Sequence, residues 1–232
     1  MKPLIVIPAR GGSKGIPGKN HKLLCGKPLV QYSIEAAMSC FDSKHIYLST
    51  DSDEIAQVAK NCGLEVLFLR PDHLATDTAA TYDVLIHALD FAASTGYTPD
   101  TLIVLQPTSP FRKEFHIREA LALYHPELDM VVSVKETKSN PYYVLFEENE
   151  KGYLKKCKEH SALRRQDLPK VWEYNGAVYV MNVKSLRQMP VSQFEKVIKY
   201  EMDEMSSLDL DTPLDWKIAE YIAQETNYWN AK

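Results

Sequence analysis

Apolar residues run without a break through Leu4-Ile5-Val6-Ile7, so Pro3–Pro8 is expected to be a strand buried on both faces. Val30, Ile34, Ala37, Met38 and Phe41 follow at the spacing of one helical face, and 46–49 reads as the next strand. Asp51 with Glu54 has the pattern of a capping box before a helix whose apolar stripe is Ile55, Val58, Ala59 and Cys62. A third strand is expected at 65–69, and a longer helix is marked by Tyr82, Leu85, Ile86 and Leu89. Residues 101–105 form a buried strand, 114–124 a helix and 130–134 another strand in the same reading. Strands that alternate with helical patterns imply an α/β fold in three layers, a mostly parallel, Rossmann-like sheet covered on both faces.

The alternation lapses after Val134. The stretch KETKSNPYYVLFEENEKGYLKKCKEHSALRRQDLPK is polar, aromatic and poorly periodic, as a flap or oligomerisation arm would be. Strands resume at 177–181 and 196–202. The last helix is announced by Thr212 as N-cap, Pro213 at its first position and Asp215 at its third, with Leu214, Ile218, Tyr221 and Ile222 as the expected inner face. The organisation is a single domain over 1–232 with an inserted segment at about 137–195.

Composition narrows the class. A chain of 232 residues with 45% apolar content can bury one ordinary α/β core. No apolar run approaches eighteen residues and no leader pattern precedes the first strand, so a soluble cytoplasmic protein is expected. Cys25, Cys40, Cys62 and Cys157 lack metal or disulfide spacing and are expected to be reduced, mostly core residues. A net charge of −4 argues against nucleic acid as a partner.

That average hides an asymmetry. No Asp or Glu occurs before Glu35, while Lys2, Arg10, Lys14, Lys19, Lys22 and Lys27 all do, and five of the nine glycines lie between Gly11 and Gly26. Around IPARGGSKGIPGKN the two common phosphate motifs fail. A Walker A match ending on Gly18-Lys19 would need glycine at Ser13 and a hydroxyl at Asn20, and the dinucleotide fingerprint is broken by the glycine spacing and by Pro17. What remains is a long glycine-rich loop after the first strand, with free backbone N–H groups and three long cations at the carboxyl edge of a sheet. A triphosphate fits it.

Four further segments accompany that loop in order: RPDHLATDTAAT, LQPTSPFR, RRQDLPKVWEYNGAVYV and SLDLDTPLDW. Together they resemble the acylneuraminate cytidylyltransferases, the CMP-sialic acid synthetases, over nearly the whole chain. The resemblance implies a nucleotidyltransferase sheet with a small dimerisation arm, a homodimer, no membrane partner, and Mg2+-assisted transfer of CMP from CTP to the anomeric 2-hydroxyl of a nonulosonic acid. It places Arg10, Gly11, Gly12, Ser13, Lys14, Lys19 and Asn20 on the triphosphate and ribose, and Arg70, Ala79 and Thr81 on the cytosine edge. Lys14, Arg10 and Asp211 become the catalytic candidates, because the departing pyrophosphate gains negative charge.

Asp209 and Asp211 are two apart, so in an extended segment both carboxylates point one way, as suits a hard cation. Gln106, Arg165, Asn175 and Tyr179 match positions that contact the sugar in that family, with Arg165 suited to a carboxylate. Glu173 departs from the pattern, for many bacterial sialic acid-activating members carry arginine there. N-acylneuraminate is the leading acceptor, with Kdn, legionaminate or another keto-sugar acid as alternatives, and a non-catalytic CTP-binding regulator as the reading of another class.

Overall fold

The computed structural model describes residues 1–161, 164–226 and 228–229. In chain order the elements are β1 (Pro3–Pro8), β2 (Leu23–Leu24), β3 (Lys27–Pro28), α1 (Leu29–Met38), β4 (Ile46–Ser49), α2 (Asp53–Asn61) and α3 (Thr81–Ser94). They continue with β5 (Thr101–Val104), α4 (Glu114–Ala122), β6 (Met130–Glu136), β7 (Phe146–Glu148), β8 (Leu154–Lys156), β9 (Trp172–Asn182), α5 (Val183–Gln188), β10 (Val197–Glu201) and α6 (Pro213–Thr226). The main sheet has the order β10-β6-β9-β5-β1-β4. Its pairings are parallel except those of β9, which runs antiparallel to both β5 and β6.

Successive residues of β1 point to opposite faces, and each face has its own core. Ile5 and Ile7 pack with Val30 and Ile34 of α1, Ile55 of α2 and Ile117 of α4, while Leu4 and Val6 pack with Leu85 and Leu89 of α3 and Leu186 of α5. Three layers result. A third cluster lies beyond the carboxyl edge, where Ile16, Leu24, Leu29, Phe111, Leu210 and Trp216 pack together.

Several expectations are corrected. Residues 65–69 form no strand, so β4 is left as the sheet edge, and a backbone hydrogen bond comes just past it, where the Arg70 N–H donates to the Thr50 carbonyl at 2.6 Å. Ser52, not Asp51, caps α2 by accepting the Ile55 N–H at 3.3 Å. Cys25 and Cys157 are exposed, and Cys40 and Cys62 only half-buried, so the free thiols are not core residues. Thr212 and Asp215 do form a reciprocal cap at the start of α6. The inner face of α6, however, is Trp216, Ala219 and Ala223, and Leu214, Ile218 and Tyr221 are exposed. Trp216 fills the cluster with Ile16, Leu24 and Leu210, with Ile222 packed against it, and the small Ala219 and Ala223 let the helix approach, so Leu214, Ile218 and Tyr221 are left outside.

The expected insert at 137–195 is divided by the structure. Its second part holds β9, the central antiparallel strand, and α5; only 137–171 stands off the sheet, with the β7–β8 hairpin wholly exposed.

Beside β6, β9 bulges: Val132 faces Tyr179 and Val134 faces Tyr174, leaving 175–178 without regular partners. Gly176 takes φ +74° there. Side chains satisfy the freed backbone groups. Asn175 Oδ1 accepts from Ala177 N (3.1 Å), Ser133 Oγ accepts from Val178 N (2.7 Å), and Arg112 donates to the Ala177 carbonyl (2.9 Å).

Candidate active site

Parallel strands deliver their following loops to one edge, and an open α/β sheet binds ligands there. At that edge a cavity of about 300 Å³ is lined by Arg10, Ser13, Lys19 and Asn20 of the loop after β1. Arg70, Ala79 and Thr81 line it from the segment leading into α3, and Gln106 from the exit of β5. All eight were singled out from the sequence. Pro8, Leu74, Thr76, Asp77, Val84, Pro107 and Thr108 complete the wall.

The loop is held from below. Ile16, 2% exposed, is its apolar anchor, and Lys19, buried among polar partners, donates to the Leu210 carbonyl (2.6 Å) and to Asp211 Oδ1 (3.0 Å). Gly15 lies so near the Asp211 carbonyl that no side chain fits between them. Gly11 donates its N–H to Asp51 Oδ1 at 2.8 Å, so that amide is engaged within the protein, whereas Gly12 faces open space.

Asn20 donates to the Arg10 carbonyl at 2.9 Å, but its Oδ1 is buried without a hydrogen-bond partner among the described residues. A buried acceptor left open in a cavity wall is a place for a ligand donor such as a sugar hydroxyl. Arg70 is fixed by Ser49, donating from Nε to Oγ at 3.1 Å and from a terminal nitrogen to the carbonyl at 2.7 Å. Burial pulls its pKa down to about 10, against the opposing pull of Asp51.

Arg10 and Lys14 are not free. Each pairs with Asp77, at 2.7 and 2.9 Å, which holds the Asp77 carboxyl below its ordinary pKa, chiefly through the Lys14 contact and then Arg10. Lys14 does not line the cavity itself; its side chain is 77% exposed and reaches the rim through that acid.

Asp209 and Asp211 flank Leu210, whose N–H is tied to the Thr108 carbonyl at 2.9 Å. They differ in environment. Burial raises the Asp209 pKa and its Oδ1 has no hydrogen-bond partner among the described residues, while Asp211 is exposed and paired with Lys19. No group of three or more His, Cys, Asp or Glu able to hold a metal occurs among the described residues. Two carboxylates, one with an open buried oxygen, nevertheless fit a magnesium ion that takes its remaining ligands from water and phosphate.

The sugar-contact candidates are less concentrated. Tyr179 is half-buried beside Asp209 and Tyr174, and its phenol is pushed up to about 12, mainly by burial. Asn175 is buried, and its amide also donates to Ser207 Oγ at 2.8 Å, so the side chain is occupied in holding the bulge. Arg165 lies exposed in a short turn (Arg165–Asp167) outside the cavity.

Two residues escaped the sequence reading. Asp77 lies in a polar loop with no lysine or arginine beside it in the chain, and its partners Arg10 and Lys14 are more than sixty positions away, so the sequence offered no sign of it. Arg112 is 3% exposed with no carboxylate partner among the described residues; it donates to the Gln106 and Ala177 carbonyls and to Ser33 Oγ, and so braces the β5 exit.

A glycine-rich cationic loop after β1, a cavity walled by Arg70, Ala79 and Thr81 where α3 begins, and the Asp209–Asp211 segment tied to that loop by Lys19 together are those of an α/β protein of the nucleotidyltransferase class. The family model described as "Cytidylyltransferase" matches residues 4–232, and the chain belongs to that family. It is 37% identical over 222 residues to the N-acylneuraminate cytidylyltransferase of Streptococcus agalactiae serotype III, covering 93% of this chain but 52% of that protein. The chain thus spans about half the length of that relative. It is 34% identical over 226 residues to the CMP-N,N'-diacetyllegionaminic acid synthase of Legionella pneumophila, covering 97% of each. The post-translational flagellin modification protein B of Campylobacter coli is 36% identical over 97% of this chain and 96% of its own length. Among solved structures, a CMP:2-keto-3-deoxy-manno-octonic acid synthetase complexed with CTP superposes with a TM-score of 0.69 at 21% identity, over 97% of this chain and all of that one, which shows the fold.

Proposed function

We propose that the protein transfers CMP from CTP to the anomeric 2-hydroxyl of a nonulosonic acid and releases pyrophosphate. The observation that carries this is the cavity itself, where Arg10, Lys19 and the open Asn20 oxygen face a wall formed by Arg70, Ala79 and Thr81. Membership of the cytidylyltransferase family supports it.

The acceptor oxygen forms a bond to the α-phosphorus as the bond from that phosphorus to the bridging oxygen breaks. The hydroxyl loses its proton, and pyrophosphate leaves with the bonding pair. Arg10 and Lys14 meet the charge growing on the leaving group, where preorganised cations count most. Asn20 orients the ribose, and the 79–81 segment reads the cytosine edge. Asp209 and Asp211 would hold Mg2+, which when bound supplies charge neutralisation at the phosphates. Gln106 and Tyr179 face the acceptor.

The single domain carries its arm at 137–171, and Arg165 on that arm serves the acceptor carboxylate through a homodimer. In support, Tyr143, Val144, Leu145, Phe146, Tyr153 and Leu154 are each more than 40% exposed. A stretch this apolar on the surface fits an interface. No helix of the described residues is long and apolar enough to cross a membrane, and a cytoplasmic location follows from where CTP is found.

N-acylneuraminate is the leading acceptor. A second reading, a legionaminate, is left open by Glu173, an acid paired with Lys135 at 2.8 Å where many sialic acid-activating members carry a cation. The relatives of matching length also include a CMP-N,N'-diacetyllegionaminic acid synthase. Pyrophosphate release with CTP and Mg2+, run with N-acetylneuraminate, Kdn and N,N'-diacetyllegionaminate beside a no-sugar control, tests the proposal. A rate above control with one of these sugars is expected; none with any of them would overturn it.

A further inference from the structure

Asp77 stands in the wall of the nucleotide cavity and accepts from both Arg10 and Lys14. Those are the two cations assigned above to the departing pyrophosphate. A polyphosphate approaching Arg10 and Lys14 meets a carboxylate already held by both, and the two anions repel one another at that short range. We infer that Asp77 is a surrogate phosphate: it occupies the pyrophosphate position in the free protein, is exchanged for the β- and γ-phosphates of CTP, and returns when pyrophosphate leaves. The inference rests on the reading of this cavity as a CTP site and adds a specificity residue to it.

Three features support the exchange. The segment carrying Asp77 is light, since Thr76, Asp77 and Thr78 are all exposed and Leu74 is the buried residue just before them. The pairs are partly solvated, with Asp77 43% exposed, so their rupture is affordable to a ligand of several negative charges. The same segment leads directly into Ala79 and Thr81, so an anion that releases Asp77 also frees the backbone that reads the base.

Two consequences follow for selectivity. CMP or cytidine presents too little charge to displace the carboxylate, so the loop favours the triphosphate substrate. Pyrophosphate, once formed, competes with an internal anion that never diffuses away, which speeds its release.

Calorimetric titration of tripolyphosphate, pyrophosphate, CTP and cytidine into the parent, Asp77→Asn and Asp72→Asn tests this. Asp77→Asn is nearly isosteric and lies on the surface, so folding is not the readout, and Asp72→Asn removes the same charge from the same segment. About three- to tenfold tighter binding of tripolyphosphate, pyrophosphate and CTP by Asp77→Asn is expected, with cytidine unchanged and with little effect of Asp72→Asn. Equal or weaker polyphosphate binding by Asp77→Asn, an equal gain from Asp72→Asn, or no tripolyphosphate binding by either protein would overturn the inference. Failure of the parent to bind CTP or cytidine, with tripolyphosphate still tightened by Asp77→Asn, would instead refute the nucleotide assignment and leave the anion exchange standing.

Discussion

Gly15→Ala is the most informative single change, because it adds one methyl group at the joint between the phosphate loop and the acidic segment. A Cβ there would sit about 1 Å inside ordinary contact distance of the Asp211 carbonyl oxygen. The obstacle is backbone, held on one side by the Leu210 N–H bond to Thr108 and on the other by Lys19. Neither strand of this contact can swing away as a flexible side chain would. The loop must therefore lift from the acids by about that distance, and a misplacement of about 1 Å in a catalytic constellation lowers turnover about a hundredfold, or about 2.7 kcal/mol of barrier. Overpacking alone is expected to remove about 1–3 kcal/mol of stability, a fall of about 2–10 °C in Tm for a chain of this size. Gly12→Ala, whose Cβ meets no atom within 4 Å, controls for the loss of a glycine and should leave Tm unchanged. Steady-state kcat from pyrophosphate release, with thermal melts of the same samples, gives both numbers. Gly15→Ala with kcat within twofold of the parent and an unshifted Tm would show that the two segments need not touch.

Lys14→Ala is expected to lower kcat by about 10²–10³ with little change in Tm, since the side chain is largely solvated; turnover within a few-fold of the parent would remove its role on the leaving group. Asn175→Ala should cost about 2–3 kcal/mol by stranding the Ala177 N–H and the Ser207 hydroxyl, visible as a fall of about 5–10 °C in Tm, and an unshifted melt would contradict the bulge assignment. For Asp209 the sign runs opposite to a paired carboxylate. Its folded-state pKa lies above the unfolded value because of burial, so its destabilising effect is fully present above the folded pKa and vanishes as pH falls below the unfolded one. Asp209→Asn should then raise Tm at pH 7 but not in acid while abolishing activity, and a lower Tm at pH 7 would sink that account.

Much of this was legible in the sequence because the signals are local. The apolar run of β1, the helix stripes and the Thr212-Pro213-x-Asp215 cap each declare themselves within a few residues, and the cations of the glycine-rich loop mark it as part of a cavity wall. What was missed depends on partners far along the chain. Residues 65–69 have a strand's composition, yet they do not join the free edge of β4, a pairing that local composition alone does not determine. Asp51 reads as a cap until the Gly11 N–H, forty positions away, is seen to use it. The bonds of Asn175 to Ser133 and Ser207, which hold the β9 bulge, likewise join positions far apart and leave no local sign. Leu214, Ile218 and Tyr221 have the spacing of an inner face, yet Trp216, Ala219 and Ala223 are the α6 residues that pack with Ile16 and Leu210, partners distant in the chain.

The direction of β9 has an evolutionary consequence. Because it descends from the carboxyl edge while its neighbours rise toward it, the chain between β6 and β9 leaves and re-enters the sheet at the same edge. Residues 137–171 are thus a cassette whose two ends are already joined by sheet pairing. Its length can change without shifting any strand register or the loop after β1, so this segment is free to vary while the sheet and the cavity stay as they are.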